Sequence, residues 1–271
     1  MTKSVPSGKA TKKTFQPPVI FIHGMWGTGK VWEKIAPRFN AAGFSTNAIT
    51  LRHHDTLITE PAPDGLGTTS LIDYVDDVLA VVDAMDTPPV LVGHSMGGLI
   101  AQLVAARTDN VRAVIALTPG PPAGVFALKI STLALFRKIL LARNFWKNPT
   151  RMDWQTAYNG LYHALPEAEA REHYADHVWE SGRALFEIAF WLMDKTKAAK
   201  LDYENIKCPV LFVAGANDRI VSAAVVKTSA KRYKGKADYV AFAELSHGLL
   251  SEPGWENVAD KCMGWLTKPA V

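Results

Sequence analysis

Gly93-His94-Ser95-Met96-Gly97, followed by Gly98, sets a serine among glycines. The group lies between an apolar β-branched run, residues 89–93, and a small-residue helical stretch, residues 96–107. A strand-to-helix turn that tight tolerates only small neighbours, lifts the serine hydroxyl clear of the strand, and aims the next N–H at an oxyanion. Ser95 is therefore predicted to be a nucleophile and the Met96 N–H an oxyanion donor. A serine hydroxyl is a weak nucleophile until a base takes its proton, and the base must be oriented by an acid. His247 follows the strand-like run 237–245 in Ser246-His247-Gly248, and Asp218 follows the run 209–215 in Gly215-Ala216-Asn217-Asp218. Both runs would end on the same edge of a sheet as Ser95. The other position for the acid, Thr118-Pro119-Gly120-Pro121-Pro122, offers no carboxylate. A second donor is expected from His23-Gly24-Met25-Trp26, after the first strand. The Met25 N–H fills that role, Gly24 lets the backbone approach the substrate, and His23 orders the loop. Trp26 and His94 fall beside the reacting centre and are expected to touch substrate.

The elements that must position these residues alternate. Strands are predicted at 18–23, 44–51, 89–93, 111–117, 209–215 and 237–245. Helices are predicted at 30–42, 70–85, 96–107, 222–233 and 255–266, with Ser70 as an N-cap. Strands apolar on both faces and separated by helices imply a mostly parallel, doubly wound α/β sheet covered on both sides. Between Pro119 and Asn205 no strand signal appears. That stretch holds 13 of the chain's 26 aromatic residues, so residues 120–205 are read as a helical cap over the carboxyl edge, where open α/β sheets bind ligands. Residues 17–119 and 206–271 form the core. A cap of ~85 residues has little interior of its own. Its rings, Trp154 and Tyr158 among them, are therefore expected to roof an apolar pocket, with Gly160 and Gly182 as points of flexibility.

Four motifs, FIHGMWG, VGHSMGG, GAND and SHG, resemble in that order the oxyanion loop, nucleophile elbow, acid loop and histidine loop of the α/β-hydrolase superfamily. The likeness is to its capped serine esterase and lipase branch and to its cofactor-free haloperoxidases, and it spans about residues 18–267. No strand signal precedes residue 18, so the usual leading antiparallel hairpin of the family is not expected here, and the cap carries no motif of one subfamily. The resemblance implies the order Ser95, Asp218, His247 for the triad, an acyl-enzyme intermediate, no metal or organic cofactor, and small, largely apolar ester substrates. Carbon–carbon bond hydrolysis, acyl transfer and perhydrolysis use the same triad and stay open. A receptor that retains the hydrolase shell without turnover also stays open. A serine nucleophile excludes the aspartate-dependent dehalogenases and epoxide hydrolases.

Other patterns carry less. Residues 24–30 spell G-x-x-x-x-G-K between a strand and a helix, but Val31 stands where a phosphate-binding loop needs a hydroxyl for magnesium. His173 and His177, four apart, have zinc-ligand spacing without a third ligand and read as a solvated polar face. Arg52-His53-His54-Asp55 reads as a loop ion-pair cluster, with pocket lining as the other reading.

The formal charge of +4 comes entirely from Lys3, Lys9, Lys12 and Lys13, and no acid precedes Glu33. Residues 1–16 are read as a disordered basic leader, and the rest balances, so no nucleic-acid partner is expected. The chain is 48% hydrophobic, yet no apolar run reaches the ~18 residues of a membrane span. Cys208 and Cys262 have no CxxC spacing and read as reduced thiols of a cytoplasmic protein. The oligomeric state is left open.

Overall fold

The computed structural model describes residues 16–127 and 129–268, so the basic leader lies outside the described residues apart from Gln16. Six parallel strands form one sheet: β1 Val19–Ile22, β2 Thr46–Ile49, β3 Val90–His94, β4 Ala113–Leu117, and two late strands, Val210–Gly215 and Ala237–Phe242. Two more residue pairs, β5 Pro149–Thr150 and β6 Glu180–Ser181, make a separate antiparallel ladder, so the late strands are β7 and β8. The main sheet runs β2-β1-β3-β4-β7-β8. From β1 the chain moves outward to β2, then returns to place β3 on the other side of β1. That reversal opens a crevice at the carboxyl ends of β1 and β3.

Strand alternation divides the core. Ile20, Ile22, Leu91 and Phe212 face one side, against helices α2 (Leu71–Asp83), α3 (Met96–Ala105) and α9 (Ala223–Lys231). Val19, Phe21, Val92 and Leu211 face the other, against α1 (Ile35–Ala41) and α10 (Trp255–Leu266). The central strands are buried but for His94 at the end of β3, whereas the edge strands β2 and β8 are partly exposed.

The predicted helix over 30–42 is broken. A 3₁₀ turn at Gly29–Trp32 precedes α1, with the Thr28 hydroxyl accepting from the Lys30 N–H. Pro37 explains the break. In the first turn of α1 its missing N–H is harmless, but deep inside a longer helix it would lose a bond and clash with the preceding turn.

Between β4 and β7 the chain builds the cap from short pieces: α4 Ile130–Leu135, α5 Arg137–Leu140, α6 Trp154–Ala157, α7 Glu167–Ala175 and α8 Gly182–Ala189, with a π-helical turn at Tyr158–Tyr162. The β5–β6 ladder departs from the strand-free reading of this stretch; two residues per strand are too few to leave a periodicity. Trp26 of the core joins the cap's own cluster of Phe136, Ile139, Phe145, Met152 and Leu185. Buried Glu187 of α8 accepts from the Ser70 hydroxyl and the Leu71 N–H at the start of α2, and Arg183 bonds the same carboxylate at 2.6 Å. The cap is thereby tied to a helix N-terminus that already favours negative charge.

Gly160 and Gly182 are packing sites. A Cβ on Gly182 would sit 1.7 Å from the Phe145 carbonyl oxygen, and one on Gly160 would meet Leu135 at 3.0 Å. This corrects the expectation that they are hinges.

Candidate active site

Ser95 lies between β3 and α3 with φ 53° and ψ −120°. A non-glycine residue there carries strain of about 1–3 kcal/mol, which persists only where the surroundings over-determine it. They do so here. A Cβ on Gly93 would come within 2.1 Å of the Gly97 carbonyl oxygen, and one on Gly97 within 2.2 Å of the Ile22 carbonyl oxygen. The elbow is pressed against β1, and only glycines fit.

Asp218 and His247 follow β7 and β8 and are 7% and 2% exposed. His247 Nδ1 and Asp218 Oδ2 are 2.7 Å apart. Asp218 Oδ1 accepts from the backbone N–H groups of Ile220 and Val221 at 2.7 and 2.8 Å. One carboxylate oxygen is thus fixed by backbone and the other is left for the histidine. Nδ1 then carries the proton and Nε2 is free to accept one. Among the described residues the Ser95 hydroxyl makes no hydrogen bond to His247, although both line one cavity; such bonds often tighten only with substrate present.

Gly24 backs directly onto Ser95: a Cβ there would lie 2.9 Å from the Ser95 Cβ. Trp26, at φ 59°, turns the loop, and its carbonyl accepts from the Val178 N–H. Among the described residues neither the Met25 nor the Met96 N–H has a protein acceptor. His23 is fully buried, its Nδ1 2.8 Å from the Gly24 carbonyl oxygen and its Nε2 accepting from the Leu51 N–H. Burial holds its pKa down to about 3, with nearby His54 adding to the effect. It spans two loops as a neutral ring.

His94 lines the cavity, but its Nε2 donates to the His247 carbonyl at 2.9 Å. Burial, then the neighbouring His247, lower its pKa to about 3. It braces the His247 loop. Sequence reasoning missed a second brace, Glu252, which is 1% exposed. Its carboxylate accepts from the Ser246 N–H at 2.7 Å and from the Ser246 hydroxyl. No motif marks a glutamate five positions beyond the histidine.

The cavity measures about 360 Å³. Gly24, Met25, Trp26, Ser95, Met96 and His247 floor it, and Phe136, Leu140, Met152, Leu161 and Leu185 belong to its roof. Trp154 and Tyr158 do not line it. They stack on each other at 5.2 Å, with Arg171 over Trp154 at 4.2 Å. Both are half-buried, packed on each other at the junction of α6 and the π-helical turn, apart from the cavity that was expected to hold them. His173 and His177, expected on a solvated face, both line the cavity. His177 is 4% exposed, its Nε2 2.7 Å from the Tyr162 hydroxyl, and burial lowers its pKa to about 4. Among the described residues no three His, Cys, Asp or Glu side chains cluster as metal ligands would.

Arg52 and His54 lie away from the cavity. Arg52 pairs with Asp77. His54 Nε2 is 3.1 Å from buried Glu180, which also accepts from the Tyr74 hydroxyl. Burial opposes charge on His54, but the Glu180 carboxylate outweighs it and raises the pKa. Lys30 of the G-x-x-x-x-G-K run pairs with Asp176 at 2.8 Å.

Residues 19–261 match the model of the alpha/beta hydrolase family. Among curated proteins, the chain is 25% identical over 248 residues to a non-heme chloroperoxidase of Kitasatospora aureofaciens, covering 88% of this chain and 87% of that one. It is 26% identical over 249 residues to a 2-(acetamidomethylene)succinate hydrolase of Mesorhizobium japonicum, covering 86% and 84%. Among solved structures it resembles a pyrethroid hydrolase of Sphingobium faniae, with TM-score 0.72 and 18% identity over 94% of this chain and 98% of that one.

Proposed function

Because the chain belongs to the alpha/beta hydrolase family, we propose that it is a serine esterase cleaving small, largely apolar carboxylic esters through an acyl-enzyme. The observation that carries the reading is the buried His247–Asp218 pair opening onto the same cavity as Ser95 on its strained elbow. In the mechanism His247 Nε2 takes the Ser95 proton as Oγ attacks the ester carbonyl carbon. The imidazolium that forms is held by Asp218. The oxyanion accepts from the Met25 and Met96 N–H groups, each worth about 2.7–4 kcal/mol. His247 returns its proton to the leaving alcohol. Water then enters, loses a proton to His247 and attacks the acyl carbon; the bond to Ser95 Oγ breaks, Oγ regains the proton from His247, and the acid leaves.

The cavity lining supports the apolar substrate class. Its cationic wall residues Lys30 and Lys34 are taken up by Asp176 and Glu169, so among the described residues no lysine or arginine of the lining is left unpaired for a substrate carboxylate. A series of p-nitrophenyl esters, neutral and carboxylate-bearing at equal length, tests both points. Turnover absent in Ser95→Ala and a higher kcat/KM for neutral esters are expected. Labelling by phenylmethylsulfonyl fluoride should fall on Ser95 alone. A preference for the charged ester would overturn the apolar assignment. A few turnovers at most would favour a receptor. The similarity to a chloroperoxidase keeps perhydrolysis as a second reading, checked by whether peroxide competes with water for the acyl-enzyme.

A further inference from the structure

The cavity opens through a rim of large apolar side chains that face solvent. Phe126, Leu192 and Met193 line it while being 75%, 70% and 68% exposed. Leu133 of α4 also lines it, and Ile130, one turn earlier on the same face, is 88% exposed. The Phe126 and Trp191 rings lie 5.3 Å apart and join the two segments. A soluble surface seldom clusters so many bulky apolar groups unless something covers them.

The two segments that carry these side chains are basic, although Glu33 and Asp176 also line the cavity. From Gly120 to Met152 the chain carries six basic residues and no acid. Lys129 precedes Ile130, and Lys195, Lys197 and Lys200 follow Met193, all exposed. The single acid of that second segment, Asp194, is buried against Arg183. Apolar side chains ringed by cations are the composition of surfaces that lie in a lipid interface, with the apolar groups among the acyl chains and the cations at anionic headgroups. A second copy of the chain fits worse, because a two-fold contact would set these cations against each other. Nucleic acid has no use for Ile130, Leu192 and Met193.

We propose that this rim docks on an anionic lipid surface, with the cavity mouth facing the bilayer. An apolar substrate dissolved in the lipid then reaches Ser95 through the rim without crossing water. The docking itself needs no chemistry, so it stands or falls apart from the esterase reading.

The test uses the full chain as Ser95→Ala, co-sedimented with vesicles of phosphatidylcholine alone or phosphatidylcholine mixed with phosphatidylglycerol. Binding to the mixed vesicles, weakening as salt is raised, is expected. Lys195→Glu with Lys197→Glu should lower the partition coefficient tenfold or more, on the order of fivefold for each lysine lost. Ile130→Glu should lower it as well, with an unchanged melting temperature showing that the variant is folded. Absence of binding to either vesicle overturns the proposal, as does binding that these variants leave unaltered. So does a dimer that Ile130→Glu dissociates, or retention on nucleic acid without retention on vesicles.

Discussion

Asp218 illustrates how much one side chain is made to do. With Oδ1 held by two backbone N–H groups, only Oδ2 can meet His247 Nδ1. In Asp218→Asn an amide at that position cannot accept the Nδ1 proton, and the ring turns to the tautomer with its proton on Nε2. A fall in kcat of about 10⁴ is expected, against about 10⁶ for Ser95→Ala or His247→Ala. Near-wild-type kcat in Asp218→Asn would give the acid's role to another residue. The placement of these three residues at the carboxyl ends of strands was legible in the sequence, because each follows a clear apolar β-branched run. The place of Trp154 and Tyr158 beside the cavity and not in its lining was not legible, because α6 is one turn long and gives way at Tyr158 to a π-helical turn, and no periodicity tells which side of so short a run faces a pocket. His177 and Glu252 escaped because burial, which makes them matter, is set by segments far away in the chain.

At the scale of elements, the core strands and helices were legible because each repeats its apolar spacing several times. The cap was legible only as composition. Its β5–β6 ladder, its π-helical turn and its short helices are each too brief to imprint a period. They are held by close approaches instead, and Gly182 is the closest. Gly182→Ala would drive a methyl into the Phe145 carbonyl at the start of α8. A loss of about 2 kcal/mol or more is expected, read as a shift of the denaturant midpoint at unchanged slope. An unchanged midpoint would mean that the ladder yields freely. The break between the 3₁₀ turn and α1 was legible in principle, since Pro37 stood in the sequence.

Across the whole molecule, burial lowers the pKa of four histidines, His163 among them, and most strongly in three: His23 and His94 at about 3 and His177 at about 4. Below their ordinary value of 6.5 the unfolded chain takes up protons that the folded one refuses. Stability from these three is complete above pH 6.5 and declines as pH falls toward 4, by about 1.4 kcal/mol per pH unit for each. His54 works in the opposite sense. Its raised pKa adds stability that is full below 6.5 and is lost as pH rises through the raised value. The three outnumber the one, so a melting temperature that drops between pH 6.5 and 4 is expected. A flat profile across that range would contradict the neutral state of the buried rings. No sequence pattern separates these histidines from half-buried His173, because their shared property is burial set by segments far away in the chain.

The order of the sheet has a consequence for how the protein is born. A ribosome makes the elbow, the loop after β1 and the whole cap before it reaches β7 and β8, and Asp218 and His247 arrive more than a hundred residues after Ser95. Until β7 docks, β4 is an open edge, apolar on both faces, and such an edge invites pairing with other chains. The nascent chain thus passes through a stage that holds Ser95 without its two proposed partners and a sticky strand without a neighbour. It should depend on chaperones at that stage. A chain ending before β7 is expected to aggregate when expressed alone, and a soluble, monomeric product would show that the cap already shields β4.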